Sequence, residues 1–249
     1  MEDIKVSIVA SAVRVQFWEE LYNSLLGNKL PFEVIFVGDK QPGYKLPSNF
    51  HYIYSPTKPA QCYEIGFRAA KGELVHWTAD DSLYNHINHS SIDTAYNFYK
   101  TFNDEKVVVA MRPIEDGGDV YDFHHFFGGS HDTPIMAPLG LMSRKLLLEL
   151  GGYDRRFISG QSENDLVMRV FEVGGRVEIC MDAYLYLRHR KVHEVPNPFR
   201  QWYTADRRIL EGSWVKPDNT ISKTRLDPVD KFEDKDLLTV TQGLKGRWS

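Results

Sequence analysis

The chain has 249 residues, 42% of them hydrophobic and 26% charged, with a formal net charge of −4 and a pI near 6.1. That length suits one α/β domain, alone or with an appendage, and the composition excludes disorder as the overall state. The acidic balance excludes a general nucleic-acid coat, which needs a basic excess against phosphates. Along the chain, "KVSIVAS" (5–11) is short and β-branched and reads as a buried strand. From Val13 to Leu26 the apolar residues Phe17, Trp18, Leu21, Leu25 and Leu26 fall on one helical face, closed by Gly27-Asn28. "FEVIFVGD" (32–39) is a second strand ending at Asp39, and "HYIYS" (51–55) a third. Cys62, Ile65 and Ala69 repeat at helical spacing before Gly72 opens a fourth strand, which runs into "WTADDS". A helix over about 88–102 and the strand "KVVVAM" (106–111) follow.

This alternation predicts a mostly parallel sheet covered by helices, and ligands on such sheets bind beyond the carboxyl ends of the strands. Asp39 and the Asp80-Asp81 pair are expected at those ends. Residues 112–135 interrupt the alternation with aromatics, histidines and Gly-Gly pairs. So long a loop inside a compact domain suggests a lid or binding wall, with Tyr121, Phe123, His124, Phe126 and Phe127 facing a ligand. The chain is divided at residue 212, leaving 213–249 as an irregular C-terminal extension.

Cys62 and Cys180 lie far apart in apolar runs, without zinc-ligand spacing, so both are expected as reduced thiols. No apolar run approaches the roughly 18 residues needed to span a membrane. The start, Met1-Glu2-Asp3-Ile4-Lys5, has no signal-peptide core. A reducing, cytoplasmic location is expected, with peripheral attachment to a membrane left open.

Three features carry chemistry. Adjacent carboxylates at a strand end repel each other, so Asp80 and Asp81 need solvent, a divalent cation or a donor-rich loop; a helix cap or turn fits Asp80 equally well. In "SGQSENDLVMRVFEVGG" (159–175), Ser162 and Asp165 have the spacing of a capping box, Asp165 can pair with Arg169, and Leu166, Val170 and Val173 form a buried stripe. Glu163 falls in the first turn, where the helix dipole favours an ionised carboxylate: a base for an incoming hydroxyl, or a surface residue complementing the dipole. "AYLYLRHRKVH" (183–193) reads as a strand with His189 at its end and His193 four residues on, a pair able to bind metal only if the fold brings it to Asp80.

In order, "VSIVAS", "EVIFVGD", "AAKGELVHWTADDS", "GLMSRKLLLELGGYDRRF" and "SENDLVMRVFEVGG" resemble the motifs of family 2 glycosyltransferases of the GT-A fold, over most of the chain from about Val6 to His189. The resemblance implies a Rossmann-like central sheet flanked by helices and transfer of a sugar from a nucleoside diphosphate donor to an acceptor hydroxyl, a glycan or other alcohol, with inversion. It implies backbone contacts to the nucleotide from Ala10, Ser11 and Ala12, base or ribose recognition by Asp39, and a nucleotide-sugar site including Thr78, Asp80 and Asp81. It further implies a Mn2+ or Mg2+ ion on Asp80, with His189 as a further ligand, and Glu163 as general base. The sequence departs from the family pattern where Thr78 replaces the first Asp of Asp-x-Asp, Ser162 the first acid before the base, and Lys40-Gln41-Pro42 the usual Asp-Gly-Ser. Thr78 and Ser162 keep open a non-catalytic nucleotide-sugar-binding protein. A nucleotidyltransferase is disfavoured, because the loop Ala10-Ser11-Ala12-Val13-Arg14 has no glycine to cradle a triphosphate.

Overall fold

In the computed structural model, which describes residues 3–84, 90–115, 123–128, 133–188 and 200–233, one eight-stranded sheet organises the chain. Its strands are β1 (Val6–Ser11), β2 (Phe32–Gly38), β3 (Phe50–Tyr54), β4 (Leu74–Trp77), β5 (Ser82–Leu83), β6 (Val107–Glu115), β7 (Gly140–Ser143) and β8 (Arg176–Leu187). They lie in the order β3-β2-β1-β4-β7-β6-β8-β5. The first four in chain order are parallel neighbours, with Val9 of β1 opposite both Ile35 of β2 and Trp77 of β4. The second half is mixed: β7 runs antiparallel to β4 and β6, β5 antiparallel to β8, and β6 parallel to β8.

The period-2 pattern of β1 divides the core. Val6, Ile8 and Ala10 face one layer with Trp18, Leu21 and Leu25 of α1 (Trp18–Leu25) and Ile92 and Ala95 of α3 (Ser91–Thr101). Val9 faces the other layer with Phe67 of α2 (Pro59–Ala69), Leu146 of α4 (Arg144–Glu149), Leu166 of α5 (Ser162–Glu172) and Trp214 of α6 (Tyr203–Trp214). Each large apolar side chain buried this way stabilises the fold by roughly 1.5–3 kcal/mol. Pro59 stands in the first turn of α2, where its missing N–H costs nothing. Asn28 joins the two halves of its layer: its amide donates to the Leu25 carbonyl at 2.9 Å, and its side-chain oxygen accepts from the N–H groups of Ile92 and Asp93.

Several expectations need correction. Residues 112–115, expected in the loop, extend β6. The last long strand starts at Arg176 rather than 183. Leu26, placed on the apolar face of α1, and Val173, assigned to the buried stripe of α5, are exposed because each lies just past its helix's last turn. Both cysteines, by contrast, are free and buried as expected. Helix α6 runs across residue 212 to Trp214, and 215–233 pack back on the body: the Phe232 ring is buried, and its carbonyl accepts from Arg68 Nη2 at 2.6 Å. Among the described residues no helix is long and apolar enough to cross a membrane.

Candidate active site

Asp80 lies just past β4 and is fully buried. Its Oδ2 accepts the backbone N–H groups of Val13 and Arg14, both at 2.7 Å, and a longer contact from Trp18 Nε1 at 3.4 Å. Its Oδ1 accepts Arg14 Nε at 2.5 Å and also meets Arg14 Nη2. The same Nη2 stands 3.2 Å from Asp81 Oδ1. The carboxylate pair therefore finds the donor-rich loop that its repulsion demands, in the segment after β1. Burial alone would lower the Arg14 pKa, but Asp80 and Asp81 hold it above its ordinary value.

That segment has little freedom. Ala12 N–H donates to the Val37 carbonyl at 2.8 Å. A Cβ on Gly38 would stand 1.8 Å from the Ala12 oxygen, so only glycine lets the ends of β1 and β2 approach this closely. Ala10 and Ala12 are buried, and Ser11 is partly exposed. Asp39 is exposed at the end of β2, 3.9 Å from the Lys40 ammonium. Thr78 turns inward: its hydroxyl donates to Ser82 Oγ at 2.9 Å.

Tyr63 of α2 links this region to the other carboxylate. Its hydroxyl donates to the Thr78 carbonyl at 2.7 Å, and its ring packs on Tyr153 at 5.7 Å between centroids. The Tyr63 pKa is raised by burial and by the charges of Glu163 and Asp80, with Arg14 opposing. Burial and the Glu163 charge raise Tyr153 likewise. Asp80, Arg14 and Glu163 thus all act on one phenol.

Glu163 is half-buried in the first turn of α5. The helix does not begin as the capping-box spacing predicts. Gln161 is the N-cap, in a left-handed conformation (φ 66°) and without a side-chain cap, and Ser162 is the first helical residue. Asp165 is drawn away from any capping role by the core: it accepts Arg169 Nε at 2.9 Å, as the i,i+4 spacing predicts, and also Trp214 Nε1 at 2.9 Å. Burial pushes the Glu163 pKa up, opposed by the N–H groups of Glu163 and Gln161 and assisted by the charge of Asp206.

Three residues of the site carry little sequence signal. Asp206, in the first turn of α6, accepts the N–H groups of Ile158, Ser159 and Gly160 at 2.9, 2.6 and 2.9 Å and so braces the approach to Glu163. Tyr63 sits on a helix whose pattern marks only its buried face. Arg14 had one available cue, as the basic residue of the glycine-free loop after β1.

Of the 112–135 loop, Phe126 is buried, whereas Phe127 is exposed with the Arg207 guanidinium 5.7 Å from its ring centre. Tyr121 and His189 lie outside the described residues, as does His193.

Among the described residues no group of three or more His, Cys, Asp or Glu side chains is placed to hold a metal ion. Asp80 itself does not fit one. Four N–H contacts from Val13 and Arg14 fill its two oxygens, about the capacity of a carboxylate, and a cation would have to displace them.

No protein-family model matches the chain, and no curated protein sequence does. Solved structures do. TarS 1–349 from S. aureus is 18% identical with a TM-score of 0.59, over 74% of this chain and 60% of that one. The same fragment in complex with UDP-GlcNAc gives 18% and 0.59, over 74% and 58%. The mannosyltransferase PcManGT from Pyrobaculum calidifontis, in complex with GDP-Man and Mn2+, gives 18% and 0.54, over 75% and 57%. The chain spans less than two thirds of each of these proteins. With a curled eight-stranded sheet flanked by helices in common with them, the chain has the GT-A glycosyltransferase fold.

Proposed function

We propose that the chain transfers a glycosyl group from a nucleoside diphosphate sugar to an acceptor hydroxyl, with inversion. The observation that carries this reading is the GT-A sheet, on which Tyr63 donates its hydroxyl to the Thr78 carbonyl beside Asp80 at 2.7 Å, its pKa raised by burial and by the charges of Glu163 and Asp80. On a GT-A framework those are the two sides a displacement needs: one for the departing diphosphate, one for the incoming alcohol.

In the reaction, the acceptor oxygen forms a bond to the anomeric carbon as the bond from that carbon to the diphosphate oxygen breaks. The electron pair of the broken bond leaves on the diphosphate. The acceptor proton passes to Glu163, whose raised pKa makes it a stronger base than a solvated glutamate. General-base help of this kind is worth about 10²–10⁴-fold. Attack and departure on opposite faces of one ring give inversion. The nucleotide would lie along Ser11 and Asp39. Phe127 and Tyr203, both exposed, would offer aromatic faces to the acceptor.

PcManGT was solved with Mn2+ as well as GDP-Man. In this chain Asp80 is saturated by donors, so no step here runs through a cation. A panel of UDP- and GDP-sugars, followed for release of nucleoside diphosphate, tests the reading: turnover with one or more donors is expected, and none with any would contradict it.

A further inference from the structure

We propose that Arg14, rather than a divalent cation, supplies the positive charge that meets the donor's diphosphate. The inference rests on the glycosyl-transfer reading and adds a residue to it.

The geometry supports this role in three ways. The guanidinium is fixed: Nε and Nη2 are held by Asp80, and Nη2 also reaches Asp81. Asp80 moreover grips the Arg14 backbone N–H, so main chain and side chain are positioned by one carboxylate. The group is reachable, with 18% of its side chain exposed. It also has capacity to donate, because Nη1 has no acceptor among the described residues. A guanidinium presents its N–H groups in a rigid planar fork suited to phosphate oxygens.

Charge points the same way. Asp80 and Asp81 without a counter-charge would repel a diphosphate; Arg14 halves that charge and places a donor at its edge. When the bond from the anomeric carbon to the diphosphate oxygen breaks, the electron pair settles on the diphosphate. Nη1–H groups can hydrogen-bond it there without giving up a proton, since arginine stays protonated at any working pH. Arg14 thereby does what a cation does for a leaving diphosphate, through residues already in place.

Removing the guanidinium has a consequence that a purely structural role does not predict. Arg14→Ala would vacate Asp80 Oδ1, the oxygen that faces the side chain, and leave it beside the Asp81 carboxylate, a ligand set that suits a hard cation. The variant should therefore become metal-responsive.

The test is calorimetric binding of UDP, GDP, CDP and dTDP to the full chain, in EDTA and in Mn2+. Wild-type protein is expected to bind at least one of them with a Kd that agrees within about twofold between the two buffers, far less than the tenfold that 1.4 kcal/mol represents. Arg14→Ala should lose about tenfold or more in EDTA and recover part of it in Mn2+. Arg14→Lys, which keeps the charge but not the fork, should fall between. Wild-type binding that requires Mn2+, or Arg14→Ala binding like wild type in EDTA, would overturn the inference and leave the glycosyl-transfer reading standing. If none of the nucleotides binds wild type in either buffer, that reading fails and takes the inference with it. Should Arg14→Ala not fold, the wild-type comparison and Arg14→Lys still decide.

Discussion

Tyr63 donates its hydroxyl to the carbonyl of Thr78 at 2.7 Å, tying helix α2 to the end of strand β4 at the point where the charges of Asp80 and Glu163 both reach. Tyr63→Phe removes that donor and leaves the carbonyl short of a partner. A hydrogen bond of this kind contributes about 0.5–1.5 kcal/mol, so denaturant unfolding should register a loss in that range. If the phenol also sets the distance between the two halves of the site, kcat should fall more than donor affinity does. An unchanged kcat would reduce Tyr63 to a packing residue.

Asp206 holds three successive N–H groups of residues 158–160 and raises the pKa of Glu163 by its charge. Asp206→Asn keeps one acceptor oxygen and removes the charge. The expected loss of stability is roughly 1–3 kcal/mol. The acid limb of the rate profile should move to lower pH, because Glu163 then ionises more readily. A limb that stays in place while stability falls would separate bracing from electrostatics.

Arg225 is buried against two acids, 2.7 Å from Asp154 and 3.5 Å from Asp165. Burial would raise the Asp154 pKa, but hydrogen bonds from Arg156 and Arg225 bring it down to about 2. Its stabilising contribution is present above the unfolded value near 3.8 and disappears as pH falls through about 2. Arg225→Ala leaves buried acids under-compensated, a change worth about 3–5 kcal/mol. Unfolding at neutral pH should show that loss, and acid unfolding should begin at higher pH than in wild type.

His76, fully buried in β4, contacts the Gly140 carbonyl at 2.9 Å and the Tyr84 hydroxyl at 3.0 Å. Burial lowers its pKa from 6.5 to about 4. The neutral ring therefore favours the folded state above the unfolded pKa, and this advantage is lost as pH falls through the folded value. Over that window about 3 kcal/mol of stability should disappear. Stability measured at pH 7 and near pH 4.5 should differ less in His76→Gln than in wild type.

The framework was legible in the sequence because its signals are local. Val6, Ile8 and Ala10 alternate with Val9, and the acids after β2 and β4 mark strand ends. Helix α6 gave no such signal. Its buried positions are Asp206, Leu210, Ser213 and Trp214, and an apolar count passes over a stripe that is half polar. The capping box failed for a related reason: Asp165 finds Arg169, Trp214 and Arg225 in the core, partners that linear spacing does not reveal. Asp80 was equally legible as a metal ligand or a turn former, and only the folded β1 loop shows which donors fill it.

The proposed transfer depends on Glu163 taking the acceptor's proton at a site shared with the donor diphosphate. Its most direct test is Glu163→Gln, with donor affinity and single-turnover transfer measured on the same protein. Donor Kd is expected to stay within about twofold, and the transfer rate to fall by about 10²-fold or more. Transfer at close to the wild-type rate would contradict it.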